Sequence, residues 1–147
     1  MRKTIRAAAT MLPLFAALAG PGSVAAQTTK PLSQALIGHW SLVSVDIGGA
    51  HPLGAKPQGS MFFDAAGNYS VIVIGEGAAN GISYFGEYTV DDATGALTMH
   101  IDAGSRPGAA GRDEKRLATL DGDALTLRND KTGPAVGGIT LSWRRAN

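Results

Sequence analysis

The 147-residue chain has no cysteine. No disulfide can staple it and no thiol is available for lipidation, so packing alone must hold the fold. It also lacks any Lys/Arg cluster interleaved with aromatics, which removes the footprint of a nucleic-acid binder. Gly-x-Ser-x-Gly, phosphate-loop and dinucleotide fingerprints are absent. The only imidazoles are His39, His51 and His100, none at metal-ligand spacing from another His or a carboxylate. The expectation is therefore no metal and no cofactor. Downstream of residue 38 there is no convincing helix, no repeat and no low-complexity tract beyond Gly-rich loops.

The apolar run near the start, Ala7 to Ala19, follows Arg2, Lys3 and Arg6 and leads to Ser23-Val24-Ala25-Ala26. A basic head, an apolar core too short to span a bilayer comfortably, and small residues at Val24 and Ala26 predict a secretory signal peptide over residues 1–26. The mature chain, residues 27–147, is then a single exported domain, periplasmic or secreted, with no membrane span. The formal charge of +1 becomes −2, because the removed segment holds three basic residues and no acidic one. About 120 residues suffice to bury a real core.

The mature part reads as short strands and tight turns. The stretch Leu36 to Val45, Leu-Ile-Gly-His-Trp-Ser-Leu-Val-Ser-Val, organises it. Pro31 to Ile37 predicts a helix of one or two turns. Gly38 then either ends that helix before a core Trp40, or permits a close backbone approach that lets Trp40 plug a barrel end. Strands are predicted at 39–47, 59–63, 68–74, 82–90, 97–102, 114–120, 124–128 and 139–145. Asn68 to Ile74 has the strongest strand propensity, and Asp64-Ala65-Ala66-Gly67 before it is a hairpin signal. Period-2 alternation puts Trp40, Leu42, Ser44 and Asp46 on one face of the first strand, and Val43, Val45 and Ile47 on the other. Eight strands joined mostly by short turns predict an all-β, up-and-down antiparallel barrel with a short N-terminal helix, wide enough for one small ligand.

Over nearly all of its mature length the chain resembles the bacterial and fungal lipocalin-like domain family of the calycin superfamily. The resemblance runs through Leu36 to Ser44, Pro52-Leu-Gly, Pro57-Gln-Gly, Tyr84-Phe-Gly-Glu-Tyr88, Arg116, Leu120 to Leu127 and Leu141-Ser-Trp-Arg-Arg145. It implies that Trp40, behind Gly38, closes one end of the barrel and that a basic residue of the last strand packs across it. Arg145 is that residue rather than Arg144, since it shares a face with Leu141 and Trp143. The family's fold hosts both binders and isomerase-type enzymes, so the fold alone does not decide.

The first functional expectation is a non-enzymatic binder of a small, largely hydrophobic molecule, lined by Leu42, Met61, Phe63, Tyr84, Tyr88, Met99 and Trp143. Arg116 either reads an anion inside the barrel or snorkels at the surface. The alternative is an isomerase- or cyclase-type enzyme using His100, Arg116 and Tyr88. Thr98, His100 and Asp102 share a face that reads as the solvated outside of the fifth strand, with an Asp-supported base the competing reading. A third possibility, a module docking on another protein, has only the outward Val43, Val45 and Ile47 behind it.

Overall fold

In a computed structural model, which describes residues 30–78, 80–129 and 138–147, the chain is an eight-stranded closed antiparallel barrel. The segment expected to be a signal peptide, residues 1–26, lies outside the described residues. After a four-residue helix, α1 (Leu32–Ala35), come β1 (Gly38–Ile47), β2 (Gln58–Phe63), β3 (Asn68–Ile74), β4 (Gly81–Asp91), β5 (Ala96–Gly104), β6 (Asp113–Asp121), β7 (Ala124–Arg128) and β8 (Ile139–Arg145). Each strand pairs with the next in sequence, and β8 pairs with β1 to close the cylinder. Closure leaves no free sheet edge. Among the described residues no helix is long and apolar enough to cross a membrane.

Strict alternation explains most of the inside-outside pattern. Along β3, Tyr69, Val71 and Val73 are buried while Asn68, Ser70, Ile72 and Ile74 are exposed. The inward rows of the strands meet in one core that includes Trp40, Met61, Phe63, Leu97, Met99, Leu125 and Trp143.

Two bulges break the alternation. Leu42 pairs with Trp143 and Ser44 with Ser142, which leaves Val43 as an extra residue on β1. The strand therefore changes phase, and Val45 is 5 % exposed, inside with Trp40 and Leu42. This corrects the uninterrupted period-2 reading of β1: Ser44 and Asp46 do not share the Trp40 face, and only Val43 of the three supposed outward residues stays well exposed. The second bulge leaves Asp102 as the extra residue of β5, between Ile101 opposite Gly86 and Ala103 opposite Phe85. It lets β5 run on to Gly104, two residues past its expected end.

The hairpins β2–β3, β4–β5 and β6–β7 turn tightly at the end of the barrel where α1 sits. The connections 48–57 and 105–112, and the described ends of those that follow β3 and β7, lie at the other end, which is called the mouth below. The β2–β3 turn is clamped by Asp64, whose carboxylate accepts from the backbone N–H groups of Ala66 and Asn68 and from Asn68 Nδ2. Those bonds, led by the one from the Asn68 side chain, hold its pKa below the usual carboxylate value.

Candidate functional site: the barrel floor and interior

The floor is built from both ends of the described barrel. A helix as short as α1 leaves its last carbonyls without intrahelical partners. Trp40 Nε1 donates to Leu36 O at 2.8 Å, and the Arg145 guanidinium donates to Ala35 O at 2.6 Å and Ile37 O at 3.1 Å. Three consecutive carbonyls are thus capped by two side chains of the barrel. Arg145 lies over the Trp40 ring, 4.2 Å from its centroid, with its Nε 3.5 Å from Asp123. Gly38 takes φ of 131°, and a Cβ there would stand 3.0 Å from Arg145 Nη1. The backbone conformation requires glycine, and a methyl there would also make the guanidinium give way. Gly38, Trp40 and Arg145 therefore meet as expected, and Arg144 is exposed.

The residues expected to line a ligand site are brought together above that floor. Met61, Phe63, Met99 and Trp143 are at most 2 % exposed, with Leu42, Tyr84 and Tyr88 packed against them. Tyr88 reaches the floor end of the barrel, where its hydroxyl donates to Asp64 O at 2.8 Å and its ring meets Phe63 edge-on. Tyr69, which was not expected at the site, packs edge-on against Tyr84 with centroids 6.0 Å apart. It lies across from Gly86, and its hydroxyl donates to His100 O at 3.1 Å. A Cβ on Gly86 would collide with His100 O, so β4 and β5 approach closely there. Burial pushes the Tyr69, Tyr84 and Tyr88 hydroxyls above the usual tyrosine pKa, and all three stay protonated donors at neutral pH.

Register decides the face of Arg116. It pairs with Leu97 and Glu114 with Met99, both core residues, so Arg116 and Glu114 face inward. The Arg116 side chain is 11 % exposed, against 39 % for Glu114; Nη2 lies 2.8 Å from Glu114 Oε2, and Nη1 donates to Lys115 O. Glu114 was missed in the sequence, although Glu114, Arg116, Ala118 and Leu120 alternate on one face of β6.

Among the described residues one fully buried side-chain polar atom has no partner. Trp143 Nε1 is buried without an acceptor, on a residue flanked in the sheet by Leu42 and Leu125. Leaving a buried donor unpaired costs about 1–3 kcal/mol, and native proteins rarely do it.

His100 takes the outward reading. Its side chain is about half exposed, and Nδ1 lies 2.8 Å from Asp113 across the β5–β6 pair. That bond raises its pKa above the ordinary histidine value. Asp102, bulged out of register, is not its partner. His100 borders a groove of about 320 Å³ on the outer face near the β2–β3 turn, and a second of about 380 Å³ lies at the mouth beside Gln58 and Gly75. Phe62, Ile72 and Phe85 form an outward apolar group on β2–β4 that was not anticipated, with His39 stacked on Phe62. Among the described residues no cluster of His, Asp or Glu could hold a metal ion.

Compared with protein families and with curated proteins, the chain matches no family model and no curated protein.

Proposed function

We propose that the chain is an exported, lipocalin-like protein that binds a small, largely hydrophobic molecule inside the barrel. The observation that carries this reading is the unpartnered indole N–H of Trp143, buried on the inward face. A purely structural core gains nothing from such a donor, whereas a ligand carrying one acceptor atom satisfies it on binding. The inward Arg116 and the protonated Tyr84 add two further polar fixers in an otherwise apolar lining. The floor of Gly38, Trp40 and Arg145 supports the family resemblance and leaves the mouth as the route of entry.

The test is intrinsic fluorescence during titration with fatty acids, isoprenoids and aromatic acids. Trp143 is one of only two tryptophans. Binding should shift the emission of the wild type, and Trp143→Phe should abolish that shift while leaving the Trp40 signal. If no ligand class changes the emission, the reading is wrong.

The isomerase- or cyclase-type enzyme remains a second reading because Arg116 is inward and paired, positioned to face a developing charge. His100 no longer supports it, being outside the barrel.

A further inference from the structure

The geometry points to Glu114 as an internal stand-in for a ligand carboxylate on Arg116, which makes the ligand a small monocarboxylic acid with an apolar body. This rests on the barrel-ligand reading above and narrows it to one chemical class. Glu114 and Arg116 occupy successive inward positions of β6, and β6 runs from the mouth toward the floor, so Glu114 is the member nearer the mouth. The two differ in freedom. Arg116, at 11 % exposure, is tied to the main chain through Lys115 O, whereas Glu114 is 39 % exposed.

Breaking the pair therefore costs the two partners unequally. The carboxylate can swing toward water at the mouth, but the guanidinium, only 11 % exposed, would be left uncompensated. Whatever displaces Glu114 must replace its negative charge. A carboxylate does so with the planar geometry a guanidinium favours. The exchange conserves charge inside the barrel, which neutral and cationic ligands cannot do.

The experiment compares matched probes: decanoic acid with 1-decanol, and trans-cinnamic acid with cinnamyl alcohol, by titration calorimetry on the full chain. The acid of at least one pair should bind about tenfold tighter than its alcohol. Glu114→Gln removes the competitor and should tighten the acid several-fold, raising the ratio of acid to alcohol affinity. Arg116→Gln should erase the preference, and the double variant Glu114→Gln/Arg116→Gln, which leaves no unpaired charge, gives the same readout if the single variant folds poorly. Equal binding of acid and alcohol, or a weaker acid in Glu114→Gln, overturns the proposal and leaves the barrel-ligand reading standing. Binding of no probe overturns both.

Discussion

The Arg145 guanidinium rests 4.2 Å above the Trp40 ring although 104 residues separate them in the chain. The contact joins β8 to β1 and caps the end of α1 at the same time. Trp40→Ala should cost about 3–5 kcal/mol, from the lost ring and the cavity it leaves. Arg145→Lys should cost less, about 0.5–2 kcal/mol, since the ammonium keeps the charge but not the planar stack. Arg144→Lys should stay within about 0.5 kcal/mol of wild type. Urea unfolding of the three variants decides this, and equal losses at 144 and 145 would refute the floor assignment.

The two tryptophans provide an internal control. Trp40→Phe and Trp143→Phe remove the same atoms, but the first loses a hydrogen bond to Leu36 O and the second loses an unpaired donor. Trp40→Phe should therefore be the more destabilising by about 1–3 kcal/mol. Thermal melts of both variants without ligand test it, and the opposite order would mean that Trp143 Nε1 is satisfied in solution.

Gly86→Ala should be among the most damaging small substitutions in the chain. The added methyl meets the His100 carbonyl, a backbone atom that moves only if β4 and β5 separate, and it also disturbs the seat of the Tyr69 ring. Gly38→Ala should cost about 1–3 kcal/mol through backbone strain and crowding of Arg145. Soluble expression and amide exchange across β4–β5 report the first effect. Wild-type exchange in Gly86→Ala would show that the strands are not held at that spacing.

The His100–Asp113 pair predicts a pH dependence of definite sign. Its hydrogen bond makes the folded state hold the histidine proton more tightly than the unfolded chain does. The stabilisation is complete below the unfolded value near 6.5 and is lost as pH rises through the higher folded value. Asp113→Asn should therefore lower the melting temperature more at pH 5.5 than at pH 9. A gap that is the same at both pH values would place the pair's effect elsewhere.

Alternation, turn signals and the Gly38–Trp40 spacing made the barrel readable, because each is a local rule and nearest-neighbour strands obey local rules. The bulges were not readable. Nothing in Leu42-Val43-Ser44-Val45 announces that Val43 is skipped, since both phases leave apolar residues on both faces; the pairing with β8 decides. Arg116 was ambiguous for the same reason, its side being set by Leu97 across the sheet. His100 was assigned to the correct face, but its partner came from β6 rather than from Asp102 on its own strand. The bare Trp143 N–H has no sequence signal, as it depends on what every surrounding strand fails to offer.

Seven of the eight strand pairings join neighbours in sequence, and only β1–β8 joins the two ends. Forming that seam closes the longest loop in the molecule, so it carries the largest entropic cost and should come late in folding. Substitutions at Trp40 and Arg145 should then act on the unfolding limb of the chevron and leave the refolding limb nearly unchanged. The barrel would open there first, like a stave vessel losing its hoop, baring two strand edges at once. The lifetime of the closed protein, and its resistance to edge-to-edge aggregation, would then follow the strength of this one ladder, whose floor end is held by a stacked cation.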